Sequence, residues 1–205
     1  MAISTATFDT VSSDRSLGRN LPQRMGSILW LPMFLMAIMA FAVGFILGIV
    51  RADEVAATSP DPERIAALQH ITAGFMFLGF ASVFASISFA IARILGEFRS
   101  GGGDVQEAAG RGVETLKMPV TAKAFIAIMV MAMMTILVAV MLHWIFAFDT
   151  SNLELADQRF VVLEGVRRLG IVAYLFSILL GLATIIQVLR FQAVRLREVA
   201  ASTSS

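Results

Sequence analysis

Four long apolar runs dominate the chain, at residues 27–50, 71–92, 124–148 and 169–189. None of them has an Asp, Glu, Lys or Arg near its middle, and none has a polar face. A helix that is apolar all round belongs in lipid or in the centre of a large fold. At 1.5 Å per residue the runs reach about 31 to 38 Å, enough to cross a hydrocarbon core of about 30 Å with some tilt. The pattern predicts an all-α, polytopic membrane protein with four transmembrane helices in an up-down bundle.

Composition supports a membrane protein and excludes several other classes. Of the 205 residues 58% are hydrophobic and 15% are charged, whereas roughly a quarter are charged in an average soluble domain. The absence of cysteine excludes a disulfide-stapled domain and a cysteine-ligated zinc or iron–sulfur site. A net charge of +1 gives no electrostatic footprint for nucleic acid, so we expect no such partner.

The distribution of Lys and Arg predicts the orientation in the membrane. The two terminal segments and the loop at residues 96–121 hold eleven of these residues with their flanking helix ends, and the other two loops hold five. The positive-inside rule then places both termini and this loop in the cytoplasm. We therefore expect a cytoplasmic N-terminal arm at residues 1–26, a bundle at residues 27–190 and a cytoplasmic tail at residues 191–205. The first run is too long for a signal peptide, so we expect an integral protein of the bacterial cytoplasmic (inner) membrane.

The connections between the runs carry further predictions. Helices two and four are expected to begin before their apolar runs, near Asp61 and Glu154, because a helical period continues upstream without a breaker. Glu164 and Arg168 are four apart and predict a surface pair. In the loop at residues 96–121, the Ser and Gly run at residues 100–103 predicts a hinge, and residues 105–116 predict a short surface helix.

The two histidines, His70 and His143, are the candidates for cofactor chemistry. Both are expected toward the outer face, and imidazoles on facing helices can ligate a b-type haem or a metal. Counting helical rise places them roughly 9 Å apart in depth, which is awkward for one haem. The alternative is that both are interfacial side chains without a ligand. Whether a haem or a metal is bound is left open.

Small residues recur at helical spacing in three of the runs and predict close helix packing, because they let backbones approach in lipid. The third run differs, since it has five methionines, which fill irregular contacts well. The predicted packing residues are Ala40, Gly44 and Gly48 in the first run, Ser82, Ser86 and Ala90 in the second, and Ala173, Ser177 and Gly181 in the fourth.

These features favour a non-catalytic accessory subunit that contacts the lipid bilayer and packs against a larger membrane complex, which would be respiratory, otherwise redox, or a membrane monooxygenase. Packing into a homo-oligomer is the other form of partner that the pattern allows. No paired carboxylates, nucleophile triad or metal-protease motif is present, so we expect no catalytic residues. One alternative is an electron-transfer subunit that binds a b-type haem or a metal through His70 and His143. A further alternative is a small transporter or channel, although no ionisable residue lies near a predicted midplane.

Overall fold

The computed structural model describes residues 4–203, and four long helices make up most of that range. Their bounds are α1 Leu21–Val55, α2 Pro62–Ala108, α3 Val120–Phe146 and α4 Leu153–Thr203. Within residues 4–203, these four helices are each long and apolar enough to cross a membrane. The prediction of an all-α protein with four candidate spans is therefore confirmed. The up-down order and the cytoplasmic termini stay predictions.

The helices begin where side chains cap their free backbone N–H groups. Asp61 Oδ1 accepts from the backbone N–H groups of Glu63 and Arg64, at 3.0 and 3.3 Å, in front of α2. Asn152 Oδ1 accepts from the backbone N–H of Leu155, at 3.1 Å, in front of α4. Such caps satisfy donors that the first helical turn leaves without partners. The predicted early starts of helices two and four are confirmed, since α2 begins at Pro62 and α4 at Leu153.

The predicted hinge and surface helix are wrong. Helix α2 continues through residues 100–103 to Ala108, and residues 113–116 form a strand. Gly103 serves close packing instead of flexibility, since a Cβ on it would lie 2.7 Å from Ser16 Oγ. The N-terminal segment therefore lies against this part of α2. The only described residue with a positive φ is Gly110, which lies in the turn after α2.

The N-terminal arm is structured from Ser4 onward. A 3-10 turn at Thr5–Thr7 leads into β1 Thr10–Ser13, which pairs antiparallel with β2 Val113–Leu116. The Glu198 carboxylate of α4 accepts from the Ser4 and Thr5 hydroxyls and the Thr5 backbone N–H, each at 2.8 Å. The arm is therefore attached both to a strand and to the last turns of α4.

Two compact units make up the described chain. The strand-bearing unit comprises residues 4–30, 87–127 and 177–203, and the histidine unit comprises residues 31–86 and 128–176. The core of the histidine unit joins α2, α3 and α4 through five buried residues, which are Ala81, Ala132, Ile136, Val140 and Tyr174. The strand-bearing unit buries Phe89, Val113, Phe125, Phe191 and Val194.

Candidate functional site

The two histidines of the chain meet in the interior of the histidine unit. His70 on α2 and His143 on α3 are 1% and 0% exposed. Their Nδ1 atoms are 3.0 Å apart, which is hydrogen-bond distance. The structure therefore joins the two residues that the sequence singled out, and it joins them directly.

The prediction placed the two histidines roughly 9 Å apart in depth, but their rings are in direct contact, and both are buried within the protein instead of lying at a water-exposed surface. The estimate counted helical rise from the ends of the apolar runs. Helices α2 and α4 extend beyond those runs, beginning at Pro62 and Leu153. Because the helices still pack together there, His70 lies inside the unit although it precedes the apolar run of α2.

The hydrogen bonds of the pair determine which ring nitrogen carries the proton in each neutral histidine. His70 Nε2 lies 3.3 Å from the Ala156 carbonyl oxygen of α4, and a carbonyl can only accept. His70 therefore carries its proton on Nε2, and its Nδ1 is an acceptor. The Nδ1–H of His143 then donates to His70. This leaves the Nε2 of His143 as an acceptor, and it is buried with no hydrogen-bond partner among residues 4–203.

Aromatic rings close the space around the pair. The ring centroid of Phe160 lies 5.5 Å from that of His70 and 5.6 Å from that of His143, with edge-to-face geometry. Phe146 lies 6.3 Å from His70. The bond between the two histidines joins α2 to α3, and the contact of His70 with the Ala156 carbonyl oxygen joins α2 to α4.

Arg167 is a buried charge beside this cluster that the sequence analysis missed. Its side chain is 1% exposed and forms an ion pair with Glu164. Its guanidinium carbon lies 3.9 Å from the ring centroid of Phe77 and 5.3 Å from that of Phe160. Its Nε and Nη1 have no hydrogen-bond partner within the described part of the chain. Arg168, which was predicted to pair with Glu164, does so at 3.0 Å on the surface.

A signal for Arg167 was present in the sequence. Phe160, Leu163, Arg167 and Tyr174 are spaced three, four and seven apart, so one face of α4 presents them to the same side. The predicted start of helix four near Glu154 already placed Arg167 in a helix. Its burial was missed because it was counted with Arg159 and Arg168 among the charged residues outside the apolar run.

The pair in this geometry leaves no room for a haem between its rings. A haem iron with two axial imidazoles lies between their ligating nitrogens, and the macrocycle separates the rings, whereas these nitrogens are in direct hydrogen-bond contact. In the range that the structure describes, no three His, Asp or Glu side chains are grouped to hold a metal ion. As it stands, the cluster is a closed polar contact between helices.

The predicted small-residue rows have mixed surroundings. Ala40, Gly44, Ser82, Ser86, Ser177 and Gly181 are buried, whereas Gly48, Ala90 and Ala173 are half-buried. A Cβ on Gly44 would lie 2.9 Å from Met76 Sδ, and one on Gly181 would lie 3.1 Å from Ile91 Cδ1. Both distances are shorter than an ordinary van der Waals contact, so these positions need a small residue.

In the histidine unit, three further glycines have closer neighbours and were not predicted. A Cβ would lie 2.5 Å from Trp144 Nε1 at Gly74, 2.7 Å from Phe41 at Gly79, and 2.5 Å from Ile136 Cγ1 at Gly170. Each neighbour is a bulky side chain and not a second small residue. A search for rows of small residues therefore misses them.

Helix α3 carries an apolar stripe on its outer side. The stripe consists of Met131, Met134, Val138, Met141 and Ile145, which are all exposed, by 49% to 64%. Their spacing alternates between three and four residues, so they share one side of the helix.

No protein family, no curated protein and no solved structure matches this chain.

Proposed function

We propose that the protein is an integral membrane accessory subunit without catalytic residues of its own, which packs against and stabilises a larger membrane complex. The complex would be respiratory, otherwise redox, or a membrane monooxygenase. The observation that carries the proposal is the exposed stripe of α3. The stripe has the geometry of one side of a helix–helix contact, and no described part of the chain covers it.

The residue types of the stripe favour a protein partner over lipid alone. Three of its five members are methionine, whereas α4, which also has an exposed apolar side, contains no methionine. Methionine is unbranched and flexible, so it adapts to an irregular surface on another protein. The exposed side of α4 shows the same alternation of three and four residues, from Val172 to Leu189, so the methionines and not the spacing distinguish the stripe. Lipid chains do not require methionine.

Purification in mild detergent tests the proposal. The tagged full chain is expected to retain a second membrane protein in fixed stoichiometry. A Met134→Phe/Met141→Phe variant, which enlarges the stripe without adding polarity, should lose that protein by at least about tenfold, since overpacking a contact costs about 1–3 kcal/mol. The matched control is Leu169→Phe/Leu179→Phe on the exposed side of α4, which should retain it.

Two results would contradict the proposal. One is a wild-type chain that elutes alone even in the mildest detergent that extracts it. The other is equal retention by the stripe variant, the control and the wild type. If the wild type retains a second copy of this chain and the stripe variant loses it, the partner is another copy of the chain and not a larger complex.

A second candidate, an electron-transfer or metal-binding subunit, is favoured by the meeting of His70 and His143. A tetrahedral metal ion bound to both Nδ1 atoms would hold them about 3.3 Å apart, close to the observed 3.0 Å. The test is an absorption spectrum and a metal analysis of the purified protein. Loss of a bound metal in both His70→Ala and His143→Ala would favour this candidate over the first.

A further inference from the structure

The strand-bearing unit contains an amphipathic pocket, separate from the histidine pair. It is lined by parts of all four helices and by β2, and every lining residue belongs to this unit. Its lining includes the apolar residues Phe125, Ile126 and Val188. It also includes two arginines, Arg99 on α2 and Arg195 on α4. The pocket therefore offers apolar walls and cationic groups in one space.

Arg195 is the unusual residue of this pocket. It is 1% exposed, and its Nε, Nη1 and Nη2 have no hydrogen-bond partner among the residues that the structure describes. An arginine stays protonated in proteins and offers five N–H donors. A buried charge with unpaired donors is costly, so binding of a counter-anion there would be strongly favourable in free energy. The Nε of Arg99 is likewise buried without a partner in the described chain.

Neighbouring side chains do not satisfy these donors. Asp104 and Glu114 are close enough to act electrostatically on Arg195. Neither forms an ion pair with it, as far as the described residues extend. The Phe191 ring lies 5.7 Å from the guanidinium carbon and provides a cation–π contact, which leaves the N–H groups free. The two carboxylates reduce the positive field without providing an acceptor, and Glu114 Oε2 is itself buried without a hydrogen-bond partner in the described chain. A phosphate bound at Arg195 therefore has to outweigh repulsion from this carboxylate.

The order of these groups along the helices matches a lipid. Phe125, Ile126 and Val188 lie within the apolar runs, whereas Arg99 and Arg195 lie six or seven residues beyond them. Between Val188 and Arg195 the helical rise is about 10 Å. Acyl chains belong at the first level and headgroup phosphates at the second. Basic pockets between transmembrane helices are known to bind the headgroups of anionic lipids.

We propose that this pocket binds a phosphate-bearing lipid, with the phosphate on Arg195 and Arg99 and an acyl chain along Phe125 and Ile126. The planar guanidinium forms paired hydrogen bonds with phosphate oxygens, which explains arginine at both positions. The apolar walls add the hydrophobic contribution of the chain. The lipid thereby supplies the acceptors that the protein lacks at Arg195.

The test uses the delipidated full chain in a neutral detergent, with phosphatidylglycerol, a diacylglycerol of the same acyl chains, and inorganic phosphate as the three additions. Phosphatidylglycerol should raise the Tm by several degrees and remain bound in native mass spectrometry, because a ligand of the folded state stabilises it. Diacylglycerol and inorganic phosphate should each give less than a third of that shift. An equal effect of diacylglycerol would refute the role of the phosphate, and an equal effect of inorganic phosphate would refute the role of the chain.

Variants connect the effect to the pocket. Arg195→Gln should remove the lipid-dependent shift, whereas Arg197→Gln, the same change at an exposed position two residues later, should keep it. If Arg195→Gln does not fold, Arg99→Gln serves instead, since Arg99 is only half-buried. Arg99→Gln should weaken phosphatidylglycerol binding by at least about tenfold, which corresponds to the loss of one charged hydrogen bond. An unchanged lipid-dependent shift in either arginine variant would overturn the proposal.

Discussion

Replacing His70 and His143 by leucine, singly and together, measures what their hydrogen bond contributes to stability. In His143→Leu the Nδ1 of His70 becomes a buried acceptor without a donor, and in His70→Leu the Nδ1–H of His143 loses its acceptor. A buried polar group left without its partner costs about 1–3 kcal/mol, so each single change should destabilise by about 2 kcal/mol. The double variant leaves neither group behind and should cost only about 2–3 kcal/mol. The resulting coupling is about 1–2 kcal/mol, above the average of about 0.6 kcal/mol and near the maximum of about 1.7 kcal/mol seen for hydrogen bonds between membrane helices.

The assay is reversible unfolding in mixed micelles, followed by tryptophan fluorescence, for the four proteins of the cycle. The control cycle pairs His70→Leu with Met134→Leu. Met134 is exposed and lies on α3, the helix that carries His143. Residues that are distant and share no partner are additive within about 0.5 kcal/mol, so this cycle should show no coupling. If the histidine cycle is additive within the same limit of about 0.5 kcal/mol as the control cycle, the interior hydrogen bond is refuted.

Two further predictions concern topology and packing. Cysteines introduced at Ser59 and Ser151 should react with an impermeant thiol reagent in intact cells. A cysteine at Gly101, which is exposed with no neighbour within 4 Å, should not react. Labelling at Gly101 would contradict the predicted orientation. Gly44→Leu should lower the free energy of unfolding by about 1–3 kcal/mol through its crowding with Met76, and Leu35→Ala, at a position that is 51% exposed, by less than about 0.5 kcal/mol. Equal, mild effects in both variants would show that Gly44 is not at a close helix contact.

The sequence was sufficient to predict the helices that are driven by local pattern. The four apolar runs correspond to four helices, and the upstream starts at Pro62 and Leu153 follow from an uninterrupted period and a capping residue. These features depend on neighbours within a few positions along the chain. They could therefore be derived without any knowledge of tertiary contacts.

The features that were missed depend on contacts between distant segments. Strand β2 exists because β1, about a hundred positions earlier, pairs with it, and its residues alone also fit a surface helix. The helical glycines at residues 101–103 look flexible until the N-terminal segment is placed against Gly103. The histidine contact depends on how α2, α3 and α4 pack beyond the apolar runs, which counting rise along one helix does not give. His70 and His143 were identified by residue type, but their mutual contact was not.

Photo-crosslinking in native membranes tests whether the exposed stripe of α3 contacts another membrane protein. A photoreactive amino acid is placed at Met134 in the stripe, or at Val172 on the exposed side of α4 as the control. We expect one discrete protein adduct, of larger mass than this chain, from Met134 and only lipid adducts from Val172. Lipid adducts alone from both positions would contradict it.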